Sequence, residues 1–214
     1  MIVAIYTGWG LLAYLLGAIP CGYLLARING IDIRTVGSGN IGATNVFRSV
    51  GKGWGVLVFI CDALKGFIPA WLFPWFADRL CTYPAGPALA VCCACLAIAG
   101  HNWPVYLGFK GGKGIATSLG ALTGIAPAAA GIGLLCWIVI FAATRYVSVA
   151  SIAAAGSVGI AAWFLYLRSG ILIPLTLSLL CAVAVWRHKA NIQRLGNGTE
   201  PRFQFRKKKE TRDP

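Results

Sequence analysis

The sequence predicts an all-α integral membrane protein of about seven transmembrane segments, some of them short or half-helices. Three observations predict it. Of 214 residues, 58% are hydrophobic and only 12% are charged, with mean hydropathy +0.73. The apolar residues fall in runs of about 20, the length that crosses a bilayer as a helix. The basic residues, 19 Lys and Arg against 6 acids, collect in the stretches between those runs and in the C-terminal tail. Such a distribution is that of cytoplasmic loops facing anionic head groups, so no nucleic-acid partner is expected from the charge.

The first segment is residues 2–25, with a kink expected at Pro20. It has no basic region before it, and its first positive charge, Arg27, follows it. This is not the pattern of a cleaved signal peptide, and it orients the N-terminus outside and Arg27 inside. Residues 27–52 form an inside segment carrying Arg27, Arg34, Arg48 and Lys52. Residues 54–76 cross back, 78–84 make a short outside turn, and the third segment starts at Gly86 and returns near Gly100.

The run 115–143 is long for one crossing and short for two. Gly124 and Pro127 interrupt it. With the N-terminus outside and the basic tail inside, the number of crossings is odd, so this run counts as two short segments hinged near Pro127. Five crossings with one re-entrant segment is the competing count. Segments at 147–167 and 171–186 follow. The tail from Arg187 holds nine Lys and Arg and three acids, which places it in the cytoplasm. Residues 1–203 read as one polytopic domain, and 204–214 as a basic, mobile surface tail.

Three polar stretches meet on the cytoplasmic face under this topology. The first is Gly37-Ser38-Gly39-Asn40-Ile41-Gly42-Ala43-Thr44-Asn45-Val46-Phe47-Arg48, with three glycines, two hydroxyls, two amides and one arginine, and no carboxylate. Glycines let backbone N–H groups turn toward an anion, and Ser, Thr, Asn and Arg add side-chain donors. The stretch reads as a phosphate cradle, against the plain alternative of a Gly-rich connector. It spells G-x-G-x-x-G, but a membrane segment precedes it where a dinucleotide fold needs a strand, so that reading fails. Neither Gly-rich stretch is a P-loop.

The second stretch runs from His101 to Gly114 and ends in Phe109-Lys110-Gly111-Gly112-Lys113-Gly114. Two lysines sit among glycines directly before a helix N-terminus, where orphan N–H groups also favour anions. The alternative is ordinary positive-inside anchoring, which has no use for the glycines. The third stretch places His188 and Asn191 at i,i+3, with Arg194 close to the same face. The alternative is a basic juxtamembrane helix. Asp62 and Lys65, also at i,i+3, lie in mid-membrane, where charges are costly and must pair. They read as a structural ion pair, or as support for the arginine of the cradle.

The eight cysteines form no framework: six lie in apolar runs, and no C-x-x-C is present. A disulfide from Cys21 or Cys81 has no support. With two histidines and six acids, neither a metal site nor a cofactor is expected. No histidine is followed four or five residues on by Asp, and no G-x-S-x-G occurs.

Together the three stretches resemble the bacterial acyl-phosphate–dependent glycerol-3-phosphate acyltransferases, the PlsY family. The resemblance rests on 37–48, on Phe109-Lys-Gly-Gly-Lys-Gly-Ile-Ala-Thr117, and on His188-x-x-Asn191-Ile-x-Arg194-Leu with Gly198-x-Glu200. Lys189 stands where the family more often has Arg. The resemblance implies transfer of an acyl chain from acyl phosphate to the 1-hydroxyl of sn-glycerol 3-phosphate, in the bacterial inner membrane with the site facing the cytoplasm. It implies membrane lipids as neighbours and a proton taken by the substrate's own phosphate. The expected roles are these. The backbone from Gly37 through Gly39 and Asn40 to Gly42, with Ser38, cradles the donor phosphate, and Arg48 neutralises it; Ser38 and Arg48 count with His188 and Asn191 as catalytic. Lys110 and Lys113 hold glycerol phosphate, with the division of the two phosphates between them left open, and Thr44, Asn45, Gly111, Gly112 and Arg194 are further substrate-binding residues. His188 and Asn191 position the reacting hydroxyl or carbonyl. A transporter of small organophosphates is the competing reading. It too needs a cationic site between broken helices, but it expects that site at the midplane.

Overall fold

The computed structural model describes residues 2–80 and 86–204, all of it helix and connecting loop. The helices are α1 (Ile2–Ala18), α2 (Cys21–Ile28), α3 (Ala43–Ser49), α4 (Lys52–Phe67), α5 (Phe73–Leu80), α6 (Gly86–Asn102), α7 (Ile115–Ile125), α8 (Pro127–Thr144), α9 (Val147–Tyr166), α10 (Leu172–Arg187) and α11 (Lys189–Gly196). All seven expected apolar segments are present. Five are long and apolar enough to cross a membrane: Ile2–Ile28, Lys52–Leu80, Gly86–Leu107, Pro127–Thr144 and Val147–Ser169. A sixth is the pair α10–α11, bent by 53°, and the seventh, α7, has only 11 residues.

Prolines set the breaks. Pro20 has no N–H to donate, and the kink expected there is a full interruption between α1 and α2. The carbonyl of Ile19 at this break accepts a 2.7 Å bond from Lys65 Nζ of α4. Pro127 starts α8 at the hinge expected in the 115–143 run. Pro69 is absorbed by a π-turn, Ile68–Leu72, between α4 and α5.

The bundle is apolar outside and small-residue inside. Phe164 is 82% exposed and Leu135 63%, as suits side chains facing lipid. Its fully buried set is rich in alanine. In lipid the gain comes from close van der Waals packing. Two reciprocal glycine pairs permit that approach: a Cβ on Gly17 or Gly100 would strike the opposite backbone at the α1–α6 contact, and one on Gly66 or Gly120 would do so at α4–α7.

Phe203, the last residue of the expected domain, packs 5.2 Å from Phe47 and 5.4 Å from Phe141, and its N–H donates to Arg145 O at 2.8 Å. This ties the strap after α11 across the site. The Arg206–Lys209 run, Cys81 and most of the expected 78–84 turn lie outside the described residues. Cys21 is a free thiol.

Candidate active site

The first Gly-rich stretch is folded by one of its own side chains. Asn45 Nδ2 lies 3.2, 3.0 and 2.9 Å from the carbonyls of Ile33, Val36 and Asn40, while its Oδ1 accepts the Ser38 N–H at 3.1 Å. Asn40 Oδ1 accepts the Gly42 N–H at 2.9 Å, closing an Asx turn. Gly37 and Gly39 take left-handed backbone angles (φ 59° and 67°) that this coil requires. Part of the backbone expected to form the cradle is engaged within the loop itself. The N–H groups of Ser38, Gly39 and Gly42 are bonded within the loop, and Asn45 is its clasp. The loop lines the cavity with Ser38, Asn40, Gly42, Ala43, Thr44, Asn45 and Arg48. Arg48 is steadied by the strap, 3.5 Å from Pro201 O and over the Phe203 ring.

The second stretch is held from outside. Arg187, at the end of α10, donates to Gly111 O at 2.9 Å and to Gly112 O from two nitrogens. The Gly112 N–H donates to His101 O at 3.1 Å, and the His101 ring fills the space where a Cβ on Gly112 would sit. Gly111 and Gly112 are therefore close-packing positions, and the Gly112 N–H is committed to His101 O. The loop delivers Lys113 into the cavity, where Nζ donates to Asn191 Oδ1 at 2.6 Å. Burial, helped by the nearby Arg194, Arg187 and Arg48 charges, lowers the Lys113 ammonium to about 8, although Glu200 opposes the shift. Lys110 is exposed and does not line the cavity, so the expected pair of lysines is one lysine.

The third stretch meets a carboxylate from the strap. Glu200 Oε1 accepts from Asn191 Nδ2 and from Ser148 Oγ, each at 2.7 Å, and its Oε2 accepts from Arg194 Nε at 2.8 Å. Burial pushes this carboxyl up, but the bonds from Ser148, Asn191 and Arg194 more than offset it and leave it below its ordinary range. Asn191 is thus a bridge between Lys113 and Glu200, with both ends of its amide engaged. This differs from the direct substrate contact expected of it. His188 is buried, and its Nδ1 lies 2.8 Å from Ala184 O. A carbonyl only accepts, so Nδ1 carries the proton and the neutral ring keeps its lone pair on Nε2.

Beneath the loops, Asp62 Oδ1 lies 3.0 Å from Lys65 Nζ and 3.6 Å from His101 Nδ1, all nearly inaccessible. The acid's partners are Lys65 and His101 rather than Arg48, which favours the structural reading of this pair. Removing one member of such a buried set costs about 3–5 kcal/mol.

These elements enclose one cavity of about 300 Å³. Its head is lined by Ser38, Thr44, Arg48, Lys113, His188 and Arg194, and its deeper part by apolar faces of α7, α8, α9 and α10. A cationic, hydroxyl-bearing head suits phosphate, and the apolar remainder suits an alkyl chain. Gly37, Gly39, Lys110, Gly111 and Gly112 lie outside the lining, whereas Asn40, Gly42, Asn45 and Asn191 belong to it. Among the described residues, no three His, Cys, Asp or Glu side chains cluster as metal ligands. Sequence reasoning missed Arg187 and Ser148. Arg187 left a faint signal as the basic residue ending a membrane run; Ser148 left none beyond being a hydroxyl in an apolar one.

Comparison with known proteins gives a consistent result. The profile of the glycerol-3-phosphate acyltransferase family matches residues 7–198. The glycerol-3-phosphate acyltransferase of Desulforudis audaxviator is 47% identical over 202 residues, covering 92% of this chain and 94% of that protein. The Aquifex aeolicus protein of the same name is 43% identical over 192 residues, covering 89% and 95%. The crystal structure of PlsY, an integral membrane glycerol 3-phosphate acyltransferase in its glycerol 3-phosphate form, superposes with a TM-score of 0.82 at 40% identity, covering 93% of this chain and 96% of that one. Its lysophosphatidic acid form gives 0.80. The chain belongs to the glycerol-3-phosphate acyltransferase family.

Proposed function

We propose that the protein transfers an acyl group from an acyl phosphate to the 1-hydroxyl of sn-glycerol 3-phosphate, releasing lysophosphatidic acid and inorganic phosphate. The observation that carries this reading is a cavity with a cationic head and an apolar interior. In the bacterial inner membrane, with the C-terminal strap on the cytoplasmic side, that cavity takes a soluble phosphate ester at its head and a lipid-borne chain in its depth. The solved relatives in glycerol 3-phosphate and lysophosphatidic acid forms support the acceptor and the product class.

Arg48 and the Ser38 and Thr44 hydroxyls hold the donor phosphate. Lys113, braced by Asn191, and Arg194, braced by Glu200, hold the acceptor phosphate. The acceptor hydroxyl attacks the acyl carbon, the bond from that carbon to the phosphate oxygen breaks, and the electron pair leaves with phosphate. Glu200 is committed to three donors and does not serve as base. The hydroxyl proton passes to a substrate phosphate oxygen, while His188 Nε2 accepts a hydrogen bond from the neighbouring 2-hydroxyl of the acceptor and so aims the attacking 1-hydroxyl. Phosphate is a good leaving group, so no covalent enzyme intermediate is needed. Nothing in the comparisons favours the transporter reading.

The test supplies purified protein with glycerol 3-phosphate and either acyl phosphate or acyl-CoA, and follows phosphate and lysophosphatidate together. Product from acyl phosphate alone is expected. Product from acyl-CoA alone would overturn the donor, and no product from either would return the transporter reading. His188→Gln retains appreciable activity on this account, and near-complete loss in the folded variant would make the histidine the base.

A further inference from the structure

We infer that the inner end of the cavity is a chain-length stop, formed by Gly133 and Val158 with Leu122 and Ala130, which decides the acyl groups the enzyme accepts. The inference rests on the acyl-transfer reading above. Along α9 the cavity wall is made by Ser148, Ser151, Ala154, Ala155 and Val158, one face of the helix. The two serines at the head are occupied: Ser148 donates to Glu200, and Ser151 accepts from Trp137 Nε1 at 3.1 Å. Below them every wall residue of α9 is apolar. Ser148 to Val158 spans about 15 Å of helix axis.

The slot then stops. Leu122, Ala130 and Val158 line it and are also members of the buried cluster that continues into Ala126, Ala129, Ala162 and Leu177, each fully inaccessible. At this level α8 and α9 touch, because a Cβ on Gly133 would run into a Val158 methyl. Gly133 therefore lets α8 close onto Val158 at the floor of the slot, and a larger residue there crowds that floor. Trimming Val158 deepens it. A route to the lipid passes Phe59 and Leu134, cavity residues 43% and 42% exposed.

The test is transfer to glycerol 3-phosphate from saturated acyl phosphates between decanoyl and stearoyl, using full-length protein in lipid nanodiscs, with kcat/KM read for each donor. The wild type is expected to show an optimum and a decline beyond it. Val158→Ala moves the optimum to longer chains, and Gly133→Leu moves it to shorter ones. The long-to-short ratio changes about tenfold in opposite directions, as for pockets that discriminate by methylenes. Decanoyl transfer serves as the control for folding, and Ala130→Val carries the shortening arm if Gly133→Leu does not fold. A flat wild-type profile, or variants that scale all donors by one factor, would overturn the stop and send the chain out past Phe59 and Leu134. No transfer from any donor in the wild type would overturn the acyl-transfer reading, and the stop with it.

Discussion

The two glycine-rich loops look alike as text, yet they are held in different ways. The 37–48 loop is clasped by its own Asn45, which reaches back to three carbonyls and the Ser38 N–H. The 108–114 loop makes no such closure: Arg187 from α10 grips its carbonyls, and His101 from α6 fills the space above its glycines. Glycine serves backbone curvature in the first loop and close packing in the second. In both loops some of the glycine N–H groups are spent on the fold itself: those of Gly39 and Gly42 in the first and that of Gly112 in the second. The lesson is that a Gly-rich stretch beside a cation can be a scaffold that aims the cation, here Arg48 in one case and Lys113 in the other.

Breaking the local clasp has the largest effect. Asn45→Ala strands several buried backbone groups, at about 1–3 kcal/mol each. Activity is expected to fall at least 100-fold with a lower melting temperature, and the cationic arm of the same loop fails with it. Activity in Asn45→Ala within a few-fold of wild type would show that the loop does not depend on its clasp.

Breaking the distant grip is milder and more selective. Arg187→Ala leaves the loop its His101 contacts and removes charge-assisted bonds worth about 1.5–3 kcal/mol. The KM for glycerol 3-phosphate should rise about tenfold or more, with the KM for acyl phosphate little changed. Arg187→Lys should not restore it, because an ammonium does not reproduce the forked grip on two adjacent carbonyls.

Lys113 sharpens the comparison through pH. Its pKa is lowered to about 8, so the side chain is cationic below that pH and loses its charge as pH rises through it. The free-enzyme quantity kcat/KM for glycerol 3-phosphate should decline above about pH 8, and Lys113→Arg should remove the decline. The smallest effect belongs to Lys110→Ala. An exposed lysine outside the cavity should change either KM by less than about twofold, and a larger change would restore the two-lysine reading.

Much of the fold could be read from the sequence because bilayer thickness converts apolar run length directly into helices. Pro20 and Pro127 marked their breaks because proline acts on its own backbone. The three stretches that supply the cavity head were also legible, since each carries its chemistry in contiguous residues. The rest depended on packing between elements distant in sequence. Ser148 meets Glu200 across 52 positions, and Arg187 meets Gly111 across 76. No local pattern encodes either contact. Asn45 looked like a ligand because an amide that folds a loop and one that binds phosphate are the same residue type. Lys110 looked like a partner of Lys113 because spacing cannot report which lysine reaches the cavity. The packing of Phe203 was not legible either, because its two aromatic neighbours lie on α3 and α8.

The central claim is that one cavity holds two phosphates, the donor's on Arg48 and the acceptor's on Lys113. Equilibrium binding tests it most directly, using glycerol 3-phosphate and a non-transferable acyl methylenephosphonate with wild type, Arg48→Ala and Lys113→Ala. The account predicts that Arg48→Ala loses the donor analogue and keeps glycerol 3-phosphate, while Lys113→Ala does the reverse. Equal loss of both ligands in either variant would contradict the division of the site into two cradles.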